Sequence, residues 1–322
     1  MKKISLLILL ISIFSSGCVA INLPGVEPLT EKVIGGEGRD KVLIIDISGL
    51  ITDEEKRGAL GIERAPRLTA RVREELDLAS KDRRVRAVIL RINSPGGAVT
   101  ACDIINHEIR LFKERNKGVY IVSELMDVAA SGGYFVALAT DKIVAHPTTV
   151  TGSIGVVAFG VNAKGLMEKI GLTNQTIKSG DKKDIGSPLR EMTGEEREIL
   201  VSVIDGMYER FLNALTEGRS SLAALKREEL RKIADGRIYT AEQALGLKLI
   251  DRVGYMEDAI EEAKEGAGIK EATIVTYAPA RAYRHNIYSS LESAPRSINL
   301  INIEASSLTE LMGMRFMYLW MP

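Results

Sequence analysis

The chain of 322 residues carries 43 basic and 43 acidic side chains, so its formal net charge is zero and no overall basic field exists to draw in nucleic acid. With 45% hydrophobic and 27% charged residues it has the make-up of an ordinary globular protein, large enough for a substantial core in one large domain or two small ones. Two cysteines, Cys18 and Cys102, and three histidines, His107, His146 and His285, show no metal-ligand spacing, so neither a metal nor another cofactor is expected.

The N-terminus reads "MKK", then "ISLLILLISIF", then "SSGC": a charged region, an apolar region and a small-residue cleavage site. Residues 1–17 are expected to be an export signal. "FSSGC" resembles the lipobox of bacterial lipoproteins, which implies Cys18 as the lipidated first residue of the mature chain. The alternative is an uncleaved anchor, because Ile4 to Leu23 contains no charge and spans about the ~20 residues a membrane helix needs. Either way the protein is expected at a membrane, facing outward. Lipid on Cys18 would leave Cys102 without a disulfide partner; in an apparent helix, Cys102 reads as a small buried apolar residue.

"INLPGVEPLTEKVIGGEGRD" has prolines, glycines and no sustained period, so residues 18–40 read as a membrane-proximal tether, with the folded part starting near Lys41. From there apolar runs alternate with amphipathic stretches. "KVLIIDIS", "RAVILRIN" and "GVYIVSE" are expected strands, with helices from Thr69 to Ser80 and from Val99 to Arg115. Continuous Val/Ile/Leu runs imply strands covered on both faces, hence an α/β fold with a parallel sheet. After "DKIVAHP" and "GSIGVVAF", Thr193 and Glu196 have capping-box spacing at the start of a long helix ending at Gly218. Thr240 with Gln243 opens a short helix, "MEDAIEEAKEGAG" is another, and "EATIVTY" is the expected last strand. The main domain is therefore 41–277. Residues 278–322 form a tail whose end, "LTELMGMRFMYLWMP", reads as a packed terminal helix or as a membrane- or partner-docking segment.

Two loops could carry chemistry. In "DVAASGGYFVALATDK", Ser131 precedes Gly132 and Gly133 at the start of a helix, where free N–H groups and the helix dipole converge. By itself this placement fits a helix cap as well as a nucleophile. In "RINSPGGAV", Gly97 can bring bare backbone N–H close to whatever lies above the sheet. Both loops would lie at the carboxyl ends of parallel strands, where ligands bind, and together they could form a two-donor oxyanion site.

A serine nucleophile needs a base. His107 lies mid-helix one turn after Asp103, a surface pair by its spacing; His146 in a strand-end turn is an alternative, and His285 lies in the tail. The other candidates are Lys178, Lys182 and Lys183 in "TIKSGDKKDIGSPLREMT". A lysine acts as base only when uncharged, and with a reference pKa of about 10.4 it needs roughly 4 kcal/mol of preferential ammonium destabilisation to lose about three units. Spacing alone does not choose among the three.

"NSPGG", "AASGGY", "TGSIGV" and "SGDKKDIGSP", in this order and at these separations, resemble the signal peptide peptidase A family in its short, single-repeat bacterial form. The wider Clp/crotonase-like fold of ββα units is suggested also by "IYTAEQALGLKLIDRVG". The resemblance implies Ser131 as nucleophile, Lys183 as general base, Ser153 as the hydroxyl orienting that lysine, and Gly97 and Gly132 as oxyanion-hole donors. It further implies a membrane-associated endopeptidase that cleaves remnant signal peptides and other hydrophobic or misfolded segments. Such proteins assemble into rings in which serine and lysine come from neighbouring subunits, so a homo-oligomer, an octamer being one size, would be needed. The rival readings are a crotonase-type acyl-thioester enzyme and a catalytically silent membrane scaffold.

Overall fold

The computed structural model describes residues 27–54, 56–57, 63–280, 282–289 and 315–321. Cys18, the signal segment and most of the tail lie outside them. Strands β1 (Leu29–Glu37) and β2 (Lys41–Ser48) are followed by a small ribbon, β3 (Lys56–Arg57) and β4 (Glu63–Ala65), and helix α1 (Leu68–Lys81). Next come β5 (Val85–Ser94), β6 (Gly96–Ala98), α2 (Val99–Arg115), β7 (Tyr120–Ala130) and α3 (Gly132–Ala137). β8 (Lys142–Ala145), β9 (Val150–Gly152), β10 (Val157–Phe159) and α4 (Lys164–Lys169) precede the long α5 (Gly194–Gly218). The chain ends with α6 (Arg227–Ile233), β11 (Ile238–Thr240), α7 (Ala241–Gly246), β12 (Arg252–Val253), α8 (Met256–Ala267), β13 (Ala272–Pro279) and β14 (Arg315–Leu319).

The main sheet runs β1-β13-β2-β5-β7-β8-β12, with β9 beside the far end of β7 and β11 beside β9. Its pairings are parallel except β1 with β13 and β9 with β11, so it is a mixed sheet dominated by parallel strands. The β2 run explains why. Leu43, Ile45 and Ile47 join one apolar cluster with α1, α2 and α3, whereas Val42 and Ile44 join the other, under α8. A strand covered on both faces must be apolar at consecutive positions. Lys41 and Asp46, the polar exceptions, are buried but paired: the Lys41 Nζ lies 2.5 Å from Glu31, and Asp46 lies 2.6 Å from Arg91.

Both expected capping boxes form, Thr193 with Glu196 and Thr240 with Gln243. The tether does not extend as far as expected, because Leu29–Glu37 is an edge strand of the sheet. Only one neighbour pairs with it, its exposed residues mix polar side chains with Val33, and a register shift between Val33 and Gly35 breaks its alternation, so the local pattern hides it. The end of the tail likewise departs from expectation: it is a strand and not a helix, and β13 is not the last strand. β14 sits antiparallel between β10 and β6 in a three-stranded sheet, its backbone groups satisfied by partners remote in sequence. Among the described residues no helix is long and apolar enough to cross a membrane.

Candidate active site

Ser131 is the single residue between β7 and α3. It adopts φ 51° and ψ −114°, a region that L-residues other than glycine rarely visit. Its amide donates to the Gly152 carbonyl (2.7 Å) and its own carbonyl accepts from the Phe135 amide (2.8 Å), so the backbone on both sides fixes the turn. The side chain makes no capping hydrogen bond to α3. The side chain of this serine therefore does not serve as a helix cap.

The hydroxyl residue instead lines a cavity of about 460 Å³ together with Ser153, Ile154, Val156, Tyr208 and Leu319. Ser153 also has a positive φ, 49°, and donates its amide to the Arg237 carbonyl at 2.7 Å. Between them Gly152 has φ 86°, and a Cβ there would stand 2.6 Å from the Tyr239 ring. A glycine and two non-glycine residues at positive φ around one cavity mark a backbone held against its preference by the surrounding packing.

The two glycine loops converge. A Cβ on Gly96 would fall 2.7 Å from the Gly132 amide nitrogen, and one on Gly132 would meet the Cys102 Sγ at 2.4 Å. Gly97 crosses Ile51 so closely that a Cβ would lie 1.9 Å from the Ile51 carbonyl oxygen. Bare backbone is thus required at all three positions by the packing around them. Cys102 is fully buried, and desolvation pushes its thiol well above the usual range, which leaves it inert.

The structure does not bring every expected residue to this cavity. Lys183 is exposed in the loop before α5 and does not line it. The neighbouring lysines are engaged: Lys178 Nζ lies 2.7 Å from Asp184, and Lys182 Nζ lies 2.5 Å from Glu195. Lys183 makes no ion pair among the described residues. Arg190 clamps the loop, 2.7 Å from Asp184 and 2.6 Å from Glu196, and holds both carboxyls below the usual range. No histidine lines the cavity. The imidazole of His146 contacts Thr148 (2.8 Å) and the Tyr255 ring; His107 is exposed, and its presumed partner Asp103 pairs with Arg210 instead. Asp205, Arg231 and Asp235 at the cavity, and Leu319 from the tail, were not legible as site residues, because nothing in their local sequence marks them. Among the described residues no cluster of His, Cys, Asp or Glu could hold a metal.

A hydroxyl raised on a strained strand-to-helix turn above a cavity is the arrangement of a serine hydrolase, and relatives of the chain identify the kind. The model of peptidase family S49 matches residues 112–270. The chain is 33% identical to an Enterococcus faecium protein named for signal peptide peptidase SppA, over 79% of this chain and 72% of that one. It is 35% identical to a Methanocaldococcus jannaschii protein named as a protease, over 86% and 87% of the two chains. Against Protease 4 of Salmonella typhi the identity is 32% over 71% of this chain, which spans 35% of that longer protein. The chain belongs to peptidase family S49 and is a serine-type endopeptidase. This membership favours peptide hydrolysis over the acyl-thioester and scaffold readings.

Proposed function

We propose that the protein is a membrane-associated endopeptidase that cleaves remnant signal peptides and other hydrophobic or misfolded segments with a Ser131–Lys183 dyad completed between protomers. The observation that carries the reading is Ser131, buried, strained and facing a cavity with no histidine in it. Lys183 supports it as the lysine of its loop with no carboxylate partner among the described residues, whereas Lys178 and Lys182 are both paired. An exposed loop lysine can meet a serine of a neighbouring copy and lose water on assembly, which lowers its pKa by desolvation. Exposed apolar side chains at Val161, Leu166, Ile170, Leu172 and Ile177 flank that loop and suit burial against a second copy.

Neutral Lys183 removes the proton of Ser131 as Oγ attacks the peptide carbonyl, and the resulting oxyanion is held by the amides of Gly97 and Gly132. The protonated lysine returns its proton to the leaving amine; water, deprotonated by the same lysine, then hydrolyses the acyl-enzyme. Ser153, on the same cavity, orients the amine. The apolar cavity wall suits peptides derived from hydrophobic export signals. The apolar N-terminal sequence ahead of Cys18 supports attachment at the outer face of a bacterial cell membrane, by lipid or by a spanning helix.

The test separates the lysines. Lys183→Ala is expected to abolish peptide cleavage while folding and assembly persist, and Lys182→Ala to remain active. An active Lys183→Ala would overturn the dyad.

A further inference from the structure

Of the nine tyrosines, six are buried or half-buried, whereas Tyr255, Tyr283 and Tyr288 are exposed, at 51%, 59% and 53%. All three lie at the carboxyl edge of the parallel strands. Tyr283 and Tyr288 follow β13, in the segment 282–289, and Tyr255 stands between β12 and α8 with its ring centroid 4.8 Å from that of His146, just past β8. The Tyr288 hydroxyl donates to Glu257 in the first turn of α8 at 3.0 Å, which brings the two ends of the set together.

The segment that carries two of these rings is fixed to the sheet. Lys32 of β1 donates to the carbonyls of Ala280 (2.8 Å) and Ala282 (2.7 Å). Arg284, only 3% exposed, pairs with the buried Asp46 of β2, and Arg91 of β5 donates to the carbonyls of Ile287 and Ser289, the latter at 2.6 Å. Tyr283, His285, Asn286 and Tyr288 stay exposed on this backbone and add no carboxylate to the surface. Rings presented on an already ordered backbone lose little entropy when they dock.

The length of chain ahead of β1 says what this edge meets. β1 begins at the same edge, with Leu29 opposite Pro279. Residues 24–28 separate Leu29 from the uncharged run Ile4 to Leu23, a reach of roughly 20 Å when fully extended. From Cys18 the reach is roughly 40 Å. With either anchor, the carboxyl edge is the part of the domain tethered nearest the bilayer. Tyrosine suits such a place, because its ring enters the headgroup layer while its hydroxyl stays wet.

We infer that Tyr255, Tyr283 and Tyr288 form an aromatic collar that seats the carboxyl edge of the sheet in the headgroup layer of a phospholipid bilayer. This rests on the membrane reading above. The anchor supplies a high local concentration of surface, so three shallow contacts suffice to orient a domain that is already tethered. Ser131 follows β7, a strand of the same parallel set, so the seated edge is also the one from which the nucleophile is reached.

The experiment uses the full chain in phosphatidylcholine vesicles. In a Trp320→Phe background, which removes the single tryptophan, a reporter tryptophan replaces Tyr283 or Tyr288, or as a control Lys117, exposed before β7 at the opposite edge of the sheet. Lipid brominated on its acyl chains is expected to quench the reporters at 283 and 288 and to leave the one at 117 bright. Separately, the triple variant Tyr255→Ser, Tyr283→Ser, Tyr288→Ser is expected to stay bound to vesicles, to cleave a soluble peptide at the parent rate, and to lose cleavage of an apolar peptide embedded in the vesicles. Vesicle-bound chains whose three reporters are equally bright, with water or a second copy covering the rings, would overturn the collar and leave the membrane reading standing. So would a triple variant, folded by circular dichroism, that cleaves the embedded peptide as the parent does. Chains that do not float with the vesicles would overturn the membrane reading and the collar with it.

Discussion

At Ser131 the backbone conformation and the side chain have opposed consequences. A non-glycine residue at positive φ costs on the order of 1–3 kcal/mol, a cost the packed turn between β7 and α3 absorbs. Glycine adopts such angles freely. Ser131→Gly is therefore expected to be more stable than Ser131→Ala by about 1 kcal/mol in denaturant melts, while both lose peptidase activity. Equal stability of the two variants would show that the turn is unstrained. Sequence alone placed the serine at a helix start and left cap and nucleophile open; in the structure its side chain makes no capping bond, in a turn tied to the Gly152 carbonyl of a separate strand.

Among the elements, α5 and the loop before it connect stability to chemistry. The Thr193 hydroxyl accepts from the Glu196 amide, and the buried Glu196 carboxylate returns the bond while holding Arg190. Arg190 in turn grips Asp184, one residue after Lys183. This fork holds the lysine loop against the helix start. Arg190→Ala is expected to reduce kcat by roughly tenfold to a hundredfold through misplacement of Lys183, with little change in melting temperature. Arg190→Lys should not rescue it, because an ammonium cannot bridge two carboxylates with the planar fork of a guanidinium. An unchanged kcat in Arg190→Ala would remove the loop from the mechanism. The C-terminal half of α5 buries Phe211, Leu212 and Leu215, whereas Val201 and Val203 stay exposed in its first half. Only the second half of this helix therefore faces the core of a single chain.

For the whole molecule, the sheet carries an unusual burden at Glu124. This β7 residue is buried with no hydrogen-bond partner among the described residues for either carboxyl oxygen, and burial, with smaller effects from Asp258 and Glu257, pushes its pKa up to about 8 from 4.5. A carboxyl whose pKa is raised on folding contributes fully below about 4.5 and loses that contribution as pH rises through about 8. Glu124→Gln is expected to gain stability relative to the parent progressively between pH 5 and pH 9, read as the difference in melting temperature. A pH-independent difference would mean Glu124 is ionised throughout. Nothing in "GVYIVSE" marks this glutamate as buried, since its exposure depends on α8 folding over that face.

What the residue order determined by itself was local and periodic: apolar runs for strands covered on both faces, two capping boxes, and glycine loops at strand ends. Those features depend on neighbours within a few positions, so they survive without knowledge of the rest of the chain. Tertiary structure alone decided that Leu29–Glu37 joins the sheet, that the last residues form a strand beside Gly96–Ala98, and that Lys183 stands away from the Ser131 cavity of its own chain. These outcomes are pairings between segments remote in sequence, where the free energy lies in backbone groups and buried surfaces that no local pattern records.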